Sequence, residues 1–545
     1  MKRLISLLAL TLTLSSQAFA GSARDVIKYI PIQNGGRLKP FDTFAQESMQ
    51  LLHGKRSREN KPATDIILSM YVVPDVWMNT KFLAVKNFEV KKNLGLDEKE
   101  NFFSYAELAK AKQLPLLLQN LRSKTDMKEK LNPYDQAVQK VESQMYMFNA
   151  ISTGMAFTLV PAKPEKNTNA WLPMAHADPQ IVKLFNEIAT EFVQSISEEL
   201  KSGKVSEPGA LQKKVEDFKA AARNENPSLY PSDRDMSIEV LYNNLHPFKW
   251  AWIFYFVAAI FFALASRKNS KPWEFKAGWV LMMLGFVMHC LGFALRIYIT
   301  GRPPVSNMYE TVVWVAFGAL VFAAFIERAT KHRLVMLGGC LVAVFCLILA
   351  DLAPTVLDSS LQPLEPVLMS NFWLIVHVMT ICISYAAFFL ALAMGNMGLY
   401  LFIQGENANR AAIQNVTQSI YRALQIGVVL LAAGIILGGV WADYSWGRFW
   451  GWDPKETWAL IALLGYLAIL HGRMGGWIKN FGMSAWSVVG FSLVIMAWYG
   501  VNFVLGAGLH TYGFGAGGIE YVLAFVFIQL LYVIYATLVT RKKTV

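Results

Sequence analysis

Cysteine is scarce in this chain, whose 545 residues contain only four. They are Cys290, Cys340, Cys346 and Cys382. All four lie in apolar stretches and no two form a Cys-x-x-Cys pair. A disulfide framework, a zinc site and a thioredoxin-like activity are therefore unsupported. We interpret these residues as small apolar fillers within helices.

Charged residues are also few, at 17% of the chain against 54% hydrophobic residues. This balance argues against a soluble enzyme and predicts a membrane protein with a sizeable soluble part. The net charge of +12 would suit nucleic acid, but basic residues of membrane proteins collect in cytoplasmic loops. We therefore expect no nucleic-acid partner.

Residues 1–20 have the pattern of a signal peptide. Two basic residues precede an apolar run from Leu4 to Leu14, and residues 18–20, Ala-Phe-Ala, fit an A-x-A cleavage site. An uncleaved anchor is the alternative. Either interpretation places residues 21–247 outside the cytoplasm.

Strand signals are sparse in residues 21–247, and apolar residues recur there at spacings of three and four. This periodicity predicts a mostly helical extracytoplasmic domain. The expected helices are a short one capped by Asp42 or Thr43 and ending at Leu52, then Tyr105–Leu121, Ala137–Ile151, Pro179–Leu200 and Leu211–Ala222. No catalytic constellation is evident in this domain.

Nine apolar stretches follow, each long enough to span a bilayer. They lie at about 248–266, 277–298, 308–327, 333–350, 372–403, 421–441, 454–471, 483–505 and 519–540. The predicted fold class is therefore all-α, with a polytopic transmembrane domain of about nine spans at 248–545.

Basic residues predict the orientation of these spans. They gather in alternate connections and in the C-terminal tail, which should therefore lie in the cytoplasm. The residues are Arg267, Lys268, Lys271, Lys276, Arg328, Lys331, Arg333, Arg410, Arg422, Arg473, Lys479, Arg541, Lys542 and Lys543. The opposite connections then share the side of the 21–247 domain.

One of those outer connections is the stretch 446–458, which contains four tryptophans and two glycines. On a helical path, Trp446, Trp450 and Asp453 would share one face, and the glycines would leave a strip free of side chains. Such a surface suits a planar apolar ring. An interfacial aromatic belt is the alternative.

A helix start is predicted at the end of this stretch. Asp453 suits an N-cap, Pro454 a first helical residue, and Glu456 completes a capping box. The positive end of the helix dipole would then lie beside the tryptophans.

Two histidines fall at the same membrane level as the tryptophans. His377 lies near the outer end of the fifth span, and His510 lies in the outer loop before the last one. Histidine is a common ligand of haem iron, so the two imidazoles could lie above and below one ring. A hydrogen-bonded structural role is the alternative for each.

The sequence WGRFWGWDPKETWALI resembles the tryptophan-rich WWD signature of haem-handling membrane proteins, and it looks like the CcsA-type cytochrome c synthetase subunit of System II. The resemblance covers about 248–545. It implies that haem b is moved to the outer face of the bacterial inner membrane and attached by thioether bonds to a CxxCH apocytochrome c. The activity that the resemblance implies is therefore that of a haem lyase of the holocytochrome c synthase type. The implied partners are a CcsB/ResB-like membrane protein and thiol-reducing proteins.

The resemblance also implies ligands for haem iron. His377 and His510 match the family's ligands of an external haem, and His471 matches a ligand of a second haem within the membrane. We nominate His289, inside the second span, as the partner of His471. The GRPPVSNMYE segment resembles the family's GHxPxSNxYE segment, with Arg302 where a histidine is common.

The remaining roles follow from chemistry. The four indoles would wall the porphyrin, and Arg448 and Lys455 are candidates to bind its propionates. The indoles are those of Trp446, Trp450, Trp452 and Trp458. No acid or base is assigned. Two other functions stay open: a haem exporter or chaperone that serves a separate ligase, and a transporter or quinone-binding subunit that holds another planar ligand.

Overall fold

A computed structural model describes residues 23–58, 61–127, 129, 131–202, 209–267, 269–353, 356–363, 372–505 and 518–544. The predicted signal peptide therefore lies outside the described residues, as does His510. The chain divides into two compact units, Met1–Asn244 and Leu245–Val545.

The first unit is mostly helical, as predicted. Among the described residues, its strands pair into three short antiparallel two-stranded sheets, β1 with β2, β3 with β4 and β5 with β6. In chain order the elements are β1 Pro31–Asn34, β2 Arg37–Pro40, α1 Phe41–His53, α2 Ala63–Val72, α3 Pro74–Asn79, β3 Leu83–Ala84, α4 Phe88–Leu94, β4 Phe102–Phe103, α5 Tyr105–Lys110, α6 Leu114–Asp126, α7 Pro133–Ser152, β5 Thr158–Pro161, β6 Trp171–Pro173, α8 Pro179–Ser202, α9 Gly209–Glu225 and α10 Asp233–Leu245.

One predicted helix of this unit is divided in two. The pattern 105–121 forms α5 and α6, because α5 stops at Lys110 and α6 begins with a proline in its first turn. Proline lacks the amide proton that a helix interior needs, so it favours a new first turn over continuation.

The predicted cap of α1 is wrong. Pro40 is the N-cap and contributes no side-chain hydrogen bond. Asp42 and Thr43 instead lie inside the first turn and bond to α10: Asn243 donates to Asp42 at 2.9 Å, and Thr43 donates to Glu239 at 2.7 Å. A distant partner therefore uses the side chains that the sequence suggested as caps.

The second unit supplies the membrane helices. Within the described residues, nine helices are long and apolar enough to cross a membrane. Its elements are α11 Pro247–Ala265, α12 Pro272–Thr300, α13 Met308–Thr330, α14 Arg333–Leu352, α15 Phe372–Gln404, α16 Arg410–Trp446, α17 Pro454–Met474, α18 Asn480–Ile495, a π-helix Met496–Leu505 and α19 Ile519–Thr544. The protein is thus a multi-pass membrane protein of helical class.

Helix α15 is central in this unit, since it packs against α13, α14, α16, α18 and α19. Glycines allow close approach: a Cβ on Gly427 of α16 would lie 2.5 Å from the ring of Phe388 on α15. The Phe388 ring also stacks on the ring of Tyr466 on α17, with ring centroids 3.8 Å apart. This packing fixes α16 and α17, which flank the tryptophan-rich stretch.

Candidate functional site

The tryptophan-rich stretch is a loop between two helices. Helix α16 ends at Trp446, where Gly447 adopts the left-handed conformation with φ 68°. Residues 447–453 are not helical, and α17 begins at Pro454. The expected helical face across 446–453 is therefore wrong, because the chain leaves the helix at a glycine that tolerates positive φ.

The predicted start of α17 is confirmed. Asp453 is the N-cap and accepts a hydrogen bond from the Lys455 amide at 3.0 Å. Glu456 closes the capping box and accepts from the amides of Asp453, at 3.1 Å, and Gly451, at 2.8 Å. The carboxylate of Glu456 thus fixes the end of the loop as well as the helix.

The four predicted indoles lie in three places: Trp450 with Trp452, Trp446 with Trp441, and Trp458 on α17. Trp450 and Trp452 meet edge to face with centroids 5.7 Å apart, and Trp452 is 69% exposed with φ 56°. Trp446 contacts Trp441, 4.7 Å away, and carries the Arg448 guanidinium 5.7 Å above its ring. Trp458, one turn into α17, is half-buried.

The expected strip at the two glycines is partly covered. A Cβ on Gly451 would lie 1.3 Å from Nη1 of Arg448, so this guanidinium occupies the space beside Gly451. Arg448 also lies 3.5 Å from Glu456. No atom lies within 4 Å of a Cβ built on Gly447, so the strip is open only there.

His377 contacts α16 at Gly434, about three turns before the helix ends at Trp446. Its Nδ1 lies 2.7 Å from the carbonyl oxygen of Gly434. A carbonyl carries no proton, so Nδ1–H is the donor and the neutral imidazole has its lone pair on Nε2. This is the usual arrangement of a histidine that binds a metal through Nε2.

Trp441 was missed by the sequence analysis. Its indole is 1% exposed and lies parallel to the His377 imidazole, with a centroid separation of 6.5 Å and an interplanar angle of 5°. It therefore links His377 to Trp446. The sequence placed Trp441 at the end of an apolar span, and only its distance of five residues from Trp446 could have suggested a role.

Two further histidines were predicted as iron ligands. His471 is described on α17, and His510 lies outside the described residues. His471 is exposed on α17, and its Nδ1 lies 2.8 Å from the Leu467 carbonyl. His510 follows the π-helix and is not among the described residues. The pairing of His377 with His510 therefore stays a prediction.

His289 lies in a different environment from the other histidines. It is completely buried, with Nδ1 3.2 Å from the Tyr255 hydroxyl and Nε2 3.2 Å from the Val313 carbonyl. Phe248, Phe293 and Phe317 enclose its ring. Within the described residues, these hydrogen-bond and ring partners lie on α11, α12 and α13, so the contacts of His289 do not bring it to His471 on α17.

The GRPPVSNMYE segment forms a buried ion cluster at the start of α13. Glu310 and Arg296 are each 1% exposed and lie 2.7 Å apart, and Arg302 lies 3.2 Å from the other oxygen of Glu310. The Ser306 amide and hydroxyl also donate to Glu310. Arg302 donates to the Gln362 carbonyl, so the arginine joins this segment to the α14–α15 connection.

The chain is similar to proteins of cytochrome c maturation. A family model described as cytochrome C assembly protein matches residues 305–510. Protein NrfI of Wolinella succinogenes is 29% identical over 510 residues, which cover 88% of this chain and 53% of NrfI. The chain thus spans about half the length of NrfI.

Shorter relatives are covered almost completely. The cytochrome c biogenesis protein CcsA of Pyropia yezoensis is 30% identical over 329 residues, 51% of this chain and 99% of that protein. CcsA of Prochlorococcus marinus is 32% identical over 289 residues, 46% of this chain and 88% of that protein.

Proposed function

Because this chain belongs to the CcsA family of cytochrome c biogenesis proteins, we propose that it presents haem b to apocytochrome c and catalyses its attachment. Haem enters from the cytoplasmic side and is held beside residues 446–458. The membrane is the bacterial inner membrane, and residues 21–247 lie in the periplasm.

The contact series from His377 through Trp441 to Trp446 is the observation that carries this proposal. His377 contributes an imidazole whose Nδ1–H donates a hydrogen bond, and Trp446 contributes an indole next to Gly447, where no other atom lies within 4 Å of a Cβ position. Iron ligation by Nε2 and stacking of indoles on a porphyrin are the two interactions that a haem site needs. His510 is the proposed second ligand.

Attachment is an addition reaction. The sulfur of a CxxCH cysteine bonds to one carbon of a haem vinyl group, and the thiol proton goes to the other carbon. No net electron transfer occurs, but the thiols must arrive reduced, so thiol-reducing proteins act beforehand. With no acid or base assigned, the protein's contribution is to hold vinyl and thiol together, which removes the entropic barrier of a bimolecular step.

A second haem site would use His471. Its Nδ1–H donation to a helix carbonyl again leaves the lone pair on Nε2. His289 has a structural role in this proposal, since both of its ring nitrogens are within hydrogen-bond distance of protein groups. The other ligand of this haem would then come from a CcsB/ResB-like partner.

The first test is an absorption spectrum of the full-length protein purified from haem-replete cells, alone and with its CcsB-like partner. We expect a bis-histidine spectrum. His377→Gly should lower haem content several-fold, and millimolar imidazole should restore it, because the small ligand fills the vacated position. His332→Gly is the matched control, because His332 lies in the α13–α14 connection and not at the proposed haem site. This variant should keep its haem. Unchanged haem in His377→Gly would contradict the ligand assignment.

Attachment and delivery are separated by reconstitution. The chain and a CcsB-like protein are co-expressed with a CxxCH apocytochrome in cells that lack other maturation genes. Haem that stays with the cytochrome after denaturation indicates ligation. Haem that is transferred but lost on denaturation would instead support an exporter or chaperone.

A further inference from the structure

The imidazole of His377 lies against a position of α16 that has no side chain. A Cβ built on Gly438 would be 2.5 Å from Cε1 and 2.8 Å from Nδ1 of His377. Real Cβ atoms do not approach other heavy atoms this closely, so any larger residue at 438 would move the ring. Glycine at this position therefore determines where the imidazole lies.

The same face of α16 fixes the orientation of the ring. Gly434, Gly438 and Trp441 follow each other at intervals of four and three, so they lie on one face of the helix. Gly434 accepts the Nδ1–H bond at 2.7 Å, and Trp441 runs parallel to the imidazole. The orientation of the His377 ring therefore depends on three residues. Gly434 accepts its hydrogen bond, Gly438 leaves space for it and Trp441 lies parallel to it.

The neighbouring glycine holds a different group. Gly439 is about 100° further round the helix, and a Cβ there would lie 2.5 Å from Cζ of Phe449 in the tryptophan-rich loop. Two consecutive glycines therefore seat two separate parts of the site, the histidine of α15 and the loop.

We propose that Gly438 is a positioning residue for haem ligation by His377. It lets the imidazole reach the Gly434 carbonyl, which holds the proton on Nδ1 and keeps the lone pair on Nε2 for iron. This inference rests on the proposed function, because it requires that His377 bind haem. Gly439 has no part in ligand orientation and serves only to hold Phe449.

The test compares Gly438→Ala with Gly439→Ala in the full-length protein with its partner. Both changes add one methyl group and both favour the helix. We expect Gly438→Ala to lose the bis-histidine spectrum and to shift the haem midpoint potential. Gly439→Ala should keep the spectrum and potential while retaining less haem. The same ligand-type change in both variants would overturn the proposal.

A second comparison removes the steric conflict, so that folding is not at issue. In the His377→Gly background, Gly438→Ala meets no imidazole ring. Added imidazole should then rescue the double variant only at several-fold higher concentration, since the new methyl group takes part of its seat. The double variant that combines His377→Gly with Gly439→Ala should be rescued at the same imidazole concentration as His377→Gly alone. Equal rescue in both double variants would refute a positioning role.

The outcomes distinguish the two proposals. If His377→Gly keeps the normal spectrum, the ligand assignment fails and the role of Gly438 fails with it. If His377→Gly loses the spectrum while Gly438→Ala keeps the wild-type spectrum and potential, the ligand assignment stands and only the positioning role is wrong.

Discussion

At the scale of single residues, Glu310 shows how a short motif becomes a structural centre. Its carboxylate accepts from two arginines and from Ser306, while the Asn307 side chain caps the same helix by accepting from the Glu310 amide at 2.8 Å. Buried charges are tolerated only when they are paired and hydrogen-bonded. Arg302 meets part of that requirement here.

Glu310→Ala should therefore be strongly destabilising. It leaves Arg296 buried without its carboxylate partner, and removal of one partner of a buried pair costs about 3–5 kcal/mol. The measurement is thermal or denaturant unfolding of the detergent-solubilised protein. Glu406→Ala, at an exposed carboxylate of the α15–α16 connection, is the control and should change stability little. Equal stability of both variants would show that the ion cluster is dispensable.

Aromatic residues show why chemistry alone did not identify every member of the site. Tryptophans 446, 450, 452 and 458 stand out because they are close together in sequence. Trp441 belongs with them only because α16 continues to Trp446 and turns its indole toward His377. Proximity along the chain predicted the loop, but not the residue that connects it to the histidine.

At the scale of elements, α1 and α10 form a polar junction within the first unit. Arg37 donates to both oxygens of Glu239, at 2.8 and 2.7 Å, and Asn243 donates to Asp42 and to Thr43. Residues 30–45, IPIQNGGRLKPFDTFA, thus supply one side of a buried polar network, and α10 supplies the other side. These contacts give Arg37, Asp42 and Thr43 a structural role.

The junction makes a prediction about pH. Burial raises the pKa of Asp42 above its ordinary value, although hydrogen bonds from Asn243 and Gln46 oppose this. A raised pKa in the folded state means that the stabilising contribution is present below about pH 4 and is lost as pH rises through the folded value. Ionised Asp42 then opposes folding at neutral pH.

Asp42→Asn should consequently be as stable as the wild type near pH 4 and more stable at pH 7, since the amide keeps an acceptor oxygen and cannot ionise. Hydrogen exchange of α1 and α10 in the full-length protein measures this difference. Asp126→Asn, at an exposed carboxylate, should show no such pH dependence. A loss of protection in Asp42→Asn at pH 7 would contradict the assignment of Asp42 as a buried, destabilising charge.

At the scale of the whole molecule, the membrane helices differ in how much of their surface the chain itself covers. The most apolar window is 67% buried in α13 but only 6% buried in α19. Helix α16 exceeds the predicted span at both ends, with 37 residues from Arg410 to Trp446. A helix of this length extends beyond a bilayer or tilts within it. Trp441 ends the predicted span, and the C-terminal extension beyond it carries Trp446.

The alternating basic connections predict the sidedness of the whole unit. Alkaline phosphatase fused after Gly447 should be active, because the pattern predicts that this connection faces the periplasm, where the disulfides of the phosphatase can form. Fusions after Gly405 or Gly475 should be inactive, because these connections carry or adjoin the basic residues of the cytoplasmic side. A green fluorescent protein series should give the reciprocal pattern. Activity after Gly405 with none after Gly447 would invert the proposed path of haem.

Much of the fold and part of the site could be predicted because they depend on local interactions. Apolar length identified the nine membrane helices, and the capping box of α17 lies within four residues, from Asp453 to Glu456. The helical path through 447–453 was wrong because Gly447 ends α16, a choice between two backbone conformations that glycine permits equally.

The sequence by itself determined the class of protein, the nine membrane helices of the described residues and the start of α17 at Asp453, since these follow from composition and short-range patterns. Only the tertiary structure decided which side chains meet. Gly434 is 57 residues from His377, and Glu239 is 202 residues from Arg37. Contacts at such separations depend on how helices pack, and close packing at residues such as Gly438 selects one arrangement from many with the same local pattern.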